Sequence, residues 1–193
     1  MRRRLLATAA LLTALGFTFP VAAIESLGHN ISTQPVLLAQ SNWQAFTSES
    51  GKFAVQMPEK PSAEITTPIK FGGEQINLHQ VTAQNKDNVY VVVYADLPSF
   101  YLQKEPETVL DEISAQLLRD MGLPELKSSG KKIELDGNPG REFQASGSGK
   151  YLGMRLYLVG QRSYLLLSQS QDSEDVNQFL SSFQLAKLAE RGK

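Results

Sequence analysis

Residues 89–95 read Val-Tyr-Val-Val-Val-Tyr-Ala, a β-branched and aromatic run that is apolar on both of its faces. A strand of this kind cannot lie on a surface. It must sit centrally in a sheet with something covering each side, so the chain has to build a layer above it and a layer below it.

The segments around that run supply the rest of a sheet. Residues 43–47 and 52–57 flank the turn-like Ser48-Glu49-Ser50-Gly51, and Phe53, Val55 and Met57 alternate with Lys52, Ala54 and Gln56. The spacing predicts a half-buried hairpin, ended at Met57-Pro58 because proline cannot donate to a ladder. Residues 63–70 and 74–83 lie either side of Phe71-Gly72-Gly73, whose glycine pair suits a tight turn. Four further strands are predicted at 128–135, 141–146, 151–159 and 163–168. The turn residues Asp136-Gly137-Asn138-Pro139-Gly140 separate the first two, and Gly147-Ser148-Gly149 the next two. In 151–159, Leu152, Met154, Leu156 and Leu158 point one way, and Gly153, Arg155, Tyr157 and Val159 the other.

Two helices punctuate the strands. Over 107–121, Val109, Leu110, Ile113, Leu117, Leu118 and Met121 form one apolar stripe, with Pro106 and early acids at the start and Gly122 and Pro124 at the end. Near the C-terminus, Asp172 or Ser173 caps a shorter helix whose Val176, Phe179, Leu180 and Phe183 face inward. From Gln184 onward the chain is polar and is expected to fray. The order strands, helix, strands, helix, with hairpins dominating, predicts an α+β fold: a mainly antiparallel sheet with helices packed on it.

The first residues address location rather than shape. Arg2, Arg3 and Arg4 lead into an apolar run ending at Phe19, then Pro20 and Val21-Ala22-Ala23. This is the pattern of a secretory signal over 1–23. Leu37-Leu38-Ala39 offers a second cleavage site, and an uncleaved anchor or a twin-arginine leader are the rival readings. Residues 24–41 read as a linker or processed spacer, 42–185 as one domain, and 186–193 as a polar tail. The expected location is the periplasm or a thylakoid lumen, with a membrane tether if the leader stays. The 193 residues contain no cysteine. Disulfides, thiol catalysis and a lipidated cysteine are thereby excluded, and stability must come from core burial. The formal charge of −1 and the absence of a basic patch argue against nucleic acid as a partner.

Motifs that carry chemistry are sparse. Gly147-Ser148-Gly149-Lys150 hints at a phosphate loop, but Gln144 and Tyr151 stand where the motif needs Gly and Ser or Thr. No G-x-S-x-G elbow occurs. His79 is the one histidine inside the expected domain, a candidate general base for a hydrolase but without an assignable partner. Glu105, Glu107, Asp111 and Glu112 could ligate a hard cation, as could Asp172, Glu174 and Asp175; acids in the first turns of helices are equally explained by the helix dipole. Arg141, Glu142, Arg155 and Tyr157 are a candidate partner surface, with cross-strand ion pairing as the alternative. Tyr90, Tyr94, Phe100 and Tyr101 are a candidate pocket for a small apolar ligand between helix and sheet.

Trp43 to Phe46, the run Gly51-Lys52-Phe53-Ala54-Val55-Gln56-Met57-Pro58, the run from Asp136 to Phe143 and Phe179-Leu180-Ser181-Ser182-Phe183 together resemble the PsbP-like group of small exported domains, which includes DcrB-type proteins. The resemblance implies an α/β/α sandwich around an antiparallel sheet. It further implies a binding or assembly role, on a protein partner that belongs to a membrane-associated complex, rather than catalysis. No cofactor is expected, and carriage of a small apolar ligand is the second functional reading.

Overall fold

The computed structural model describes residues 43–85, 87–123, 125–126 and 130–186. The predicted leader, the 24–41 spacer and most of the polar tail lie outside them. The strands are β1 (Gln44–Ser48), β2 (Phe53–Met57), β3 (Ile65–Phe71), β4 (Glu74–Gln84), β5 (Val89–Asp96), β6 (Lys131–Leu135), β7 (Asn138–Gly147), β8 (Lys150–Val159), β9 (Arg162–Ser170) and β10 (Gln184–Leu185). The helices are α1 (Pro106–Asp120) and α2 (Ser173–Ser181), and a 3-10 turn spans Ser99–Gln103. None of the described helices is long and apolar enough to cross a membrane.

Seven strands form one antiparallel sheet in the order β3-β4-β5-β9-β8-β7-β6. As its sequence requires, β5 lies inside this sheet between β4 and β9, and its alternate side chains enter two separate cores. Val91, Val93 and Ala95 pack with α1 residues Val109, Leu110, Ile113 and Leu117. Tyr90, Val92 and Tyr94 pack on the opposite face with Phe53, Val55, Met57, Phe179 and Leu180. That second face is covered by α2 and by a small sheet of order β1-β2-β10. The α+β class and the three layers therefore follow from one doubly apolar strand.

Local chemistry sets the registers. Gly72 and Gly73 both take positive φ, at 60° and 92°, which closes the β3–β4 hairpin in two residues and places Phe71 opposite Glu74. Asp136 and Gly137 do the same for β6–β7, at 50° and 79°. The turn is thus shorter than expected, and β7 begins at Asn138 rather than 141. Pro139 is tolerated because β7 meets β8 only from Gly140 onward. Asp172 caps α2 by accepting from the Glu174 N–H at 2.8 Å. Gly153 lets α2 close on β8, since a Cβ there would lie 2.5 Å from Val176 Cγ1 and 2.7 Å from Leu180 Cδ1.

One expectation fails at the C-terminus. Gln184 and Leu185 do not fray but pair antiparallel with Ala54 and Phe53 as β10. The Ala186 N–H extends the ladder to the Lys52 carbonyl at 2.9 Å. Burial of Phe183 anchors the segment beside an otherwise open edge of β2, and main-chain bonding does the rest.

Candidate functional site

The antiparallel register aligns His79 on β4, Tyr94 on β5 and Tyr164 on β9 across the sheet. The His79 and Tyr94 rings stack with centroids 4.6 Å apart and planes 6° from parallel. From the β9 side, the Arg162 guanidinium lies 5.3 Å from the Tyr94 ring centre. Arg162 also makes a two-pronged contact with Asp96, at 2.7 and 2.9 Å, and donates to the Ser50 carbonyl at 2.9 Å.

Glu64, in the segment leading into β3, ties these strands to the β1–β2 turn. It accepts from Tyr94 Oη at 2.6 Å, from Ser48 Oγ at 3.1 Å and from Ser50 Oγ at 3.0 Å, and lies 3.3 Å from His79 Nδ1. The same imidazole nitrogen contacts Thr66 Oγ1 at 3.0 Å. The serine hydroxyls thus contact the carboxylate directly and not the imidazole, unlike a nucleophile–base pair. Burial pushes the Glu64 carboxyl up, but the hydrogen bonds from Tyr94, Ser50 and Ser48 outweigh it and hold the carboxyl below its ordinary value. Asp96 is held low chiefly by its hydrogen bond from Arg162. Tyr94 is pushed up, first by burial and then by bonding to Glu64.

His79, Tyr94, Asp96 and Arg162 of this cluster line a cleft of about 390 Å³, whose other walls include Gln75, Asn77, Pro98 and Gln161. The volume falls in the range of small-ligand and peptide-side-chain sites. Arg162 is matched to Asp96 within the cleft, and Glu64 beside it to three hydroxyls and His79, while Glu74, which also lines the cleft, is exposed. Such a site presents fixed donors and acceptors to a visitor.

The depressed carboxyls make stability acid-sensitive. Glu64 and Asp96 share this property with Glu107, which hydrogen bonds from Arg141 and Lys132 bring from 4.5 to about 2. A group whose folded pKa is lowered stabilises the protein above its unfolded pKa, and that contribution disappears as pH falls through the folded value. The urea midpoint should therefore be flat near neutrality and fall from about pH 4.5 to pH 2, set by the Glu107 window. A midpoint unchanged between pH 5 and about 2.5 would refute the assignment.

The other sequence candidates separate. Tyr90 and Tyr94 face the small sheet, whereas Phe100 and Tyr101 lie in the 3-10 turn on the α1 side, where Tyr101 stacks on Phe71 at 5.4 Å. Tyr90 donates to Asp175 at 3.3 Å, and burial pushes its phenol up to about 12. A cavity between α1 and the sheet exists, lined by Leu78, Val93, Ile113, Leu117 and Leu165, but of the four aromatics only Tyr94 reaches it. Its volume is about 50 Å³. A benzene-binding cavity measures about 150 Å³, so this space as it stands holds a few waters or a methyl group rather than a lipid chain.

Arg141, Glu142, Arg155 and Tyr157 do not share a surface. Arg141 points toward α1, where Nη2 contacts Glu107 at 2.6 Å and Asp111 at 2.8 Å. Glu142 faces the α2 side and pairs across the strands with Arg155, which also donates to the Leu180 carbonyl at 2.9 Å. Tyr157 is 3% exposed, stacked on Phe183. Adjacent strand residues point to opposite faces, which separates Arg141 from Glu142 at once. The early acids of α1 are likewise engaged: Glu107 and Asp111 with Arg141, and Glu112 with Lys104 at 2.6 Å.

No protein-family model matches the chain, and no curated protein matches its sequence. Among solved structures it is similar to the solution structure of cyanobacterial PsbP (CyanoP) from Synechocystis sp. PCC 6803. The two are 11% identical with a TM-score of 0.43, over 79% of this chain and 98% of that one. That protein falls in the PsbP-like group that the sequence resembles.

Proposed function

We propose that this chain is an exported, non-enzymatic binding protein that serves a membrane-associated protein complex as an accessory or assembly factor. The observation that carries this reading is the 390 Å³ polar cleft around His79, Tyr94 and Arg162, in which Arg162 is paired with Asp96 and Tyr94 bonds to Glu64 rather than standing poised for proton or group transfer. Support for export comes from the arginine-led apolar leader, and support for an assembly role from the PsbP-like sequence pattern. The compartment is then the periplasm or a thylakoid lumen.

Affinity capture of a C-terminally tagged full-length chain from its native host, after mild cross-linking, tests the reading. Mass spectrometry is expected to identify one dominant membrane complex, and Arg162→Glu is expected to lower its recovery. Recovery of the chain alone, or substrate turnover by the purified domain, would overturn it.

A further inference from the structure

The cleft is also a fork between strands. The pairing of β4 with β5 stops at His79 opposite Tyr94, yet β4 runs on to Glu74 and stays paired with β3 throughout. The cause lies in β5. Leu97 donates to the Gln161 carbonyl at 2.9 Å and accepts from the Gln161 side chain, so the chain follows the β8–β9 turn and leaves β4.

Hairpin geometry identifies which main-chain groups face the fork. A two-residue turn makes Phe71 and Glu74 a hydrogen-bonded pair, so bonded and non-bonded pairs alternate from there. Pro68 opposite Asn77 then falls on a non-bonded pair, as a residue without an N–H must. Gln75 and Asn77 consequently turn their N–H and C=O groups away from β3 and into the cleft, where the ladder supplies no strand. By the same alternation Asp96, two residues beyond Tyr94, faces the fork from the other side. The outer edges of the large sheet are blunted differently, by Pro68 and Lys70 on β3 and by Lys131, Lys132 and Glu134 on β6. No lysine or proline guards Glu74–Leu78 of β4.

Resting on the reading of the cleft as a partner site, the geometry points to its occupant: a short extended segment of the partner protein that enters the fork as a strand, bonding its main chain to Gln75 and Asn77 on one side and Asp96 on the other. At about 3.3 Å per residue, four or so residues match the open length of β4. Alternate side chains would meet Gln75, Asn77 and His79 on one face, and the half-buried Ile76 with Leu97 on the other. The preferred segment therefore alternates polar and apolar residues.

Random linear 12-residue peptides displayed on phage, panned against the full chain, provide the probe. Enriched peptides, once synthesised, are expected to slow hydrogen exchange at the Gln75, Asn77 and Asp96 amides. Alternate N-methylation of their backbones should weaken binding at least about tenfold, a test that needs no protein variant. Asn77→Pro should do the same with little change in thermal midpoint, because that N–H takes no part in the β3 ladder. The inference is overturned if no peptide is enriched over an unrelated domain, or if enriched peptides tolerate both changes or protect amides elsewhere. It is also overturned if the three amides become protected without peptide as the protein dimerises, which would make a second copy the occupant. Capture of the native complex by Asn77→Pro at full yield would remove the fork and leave the assembly role standing. Peptide binding at the fork by a chain that captures no complex would do the reverse.

Discussion

Replacing Phe53 with alanine is expected to destabilise the protein by about 3–5 kcal/mol, the range for a fully enclosed phenylalanine. Phe53 is 0% exposed and packs against Phe46, Tyr94, Tyr164 and Phe183 with centroids 5.4 to 6.2 Å apart. It is the plug between the small sheet and the large one. Strands β1 and β2 have five residues each and β10 has two, too few to hold together by ladder bonds alone. The loss should lower the thermal midpoint by roughly 10–15 °C in a domain of this size. Thermal and urea unfolding followed by circular dichroism measures it. A cost under about 1 kcal/mol would mean that the small sheet is not part of the cooperative unit.

Much of this architecture is legible in the sequence because its connections are local. Gly72-Gly73, Asp136-Gly137 and Ser148-Gly149 each adopt the positive φ that a tight hairpin needs, and each was marked by residue type alone. The stripe of α1 and the doubly apolar β5 placed the two cores. What stayed hidden is non-local: β5 pairs with β9 across 66 residues at Asp96 and Arg162, and nothing in either segment names the other. The segment Gln184–Leu185 carries no period because two residues have none. Its pairing depends on where Phe183 is buried.

The cleft shows the same division. His79 was visible as a lone histidine, and its neighbour could have been found, since Gln84 opposite Val89 fixes His79 opposite Tyr94 in any regular hairpin. Glu64 could not. It falls inside the 63–70 segment read as a strand, one residue before β3 begins, and gains its role from Ser48, Ser50 and Tyr94, which belong to other elements. The aromatic pocket expected from Tyr90, Tyr94, Phe100 and Tyr101 dissolves because the chain crosses from one face of the sheet to the other between Asp96 and Ser99.

Arg141 turns that lesson into an asymmetric prediction. Its side chain is 6% exposed, whereas Glu107 and Asp111 are 43% and 60% exposed. Truncating the two acids together, Glu107→Ala with Asp111→Ala, leaves a buried guanidinium with only the Gly140 carbonyl, 3.1 Å from Nη1. Breaking a buried pair from that side costs about 3–5 kcal/mol, with the lower end expected because Arg141 lies one layer beneath solvent. Arg141→Met removes the buried charge instead, keeps most of the packing volume, and lets both carboxylates rehydrate, so about 1 kcal/mol is expected. Adding Arg141→Met to the two alanine substitutions should recover part of the lost stability, because the stranded charge is gone. Urea unfolding of the three variants at pH 7 decides it. If Arg141→Met proves as costly as the loss of both acids, α1 is held to β7 by the ion pairs themselves rather than by the apolar stripe of Val109, Leu110, Ile113 and Leu117 beneath them.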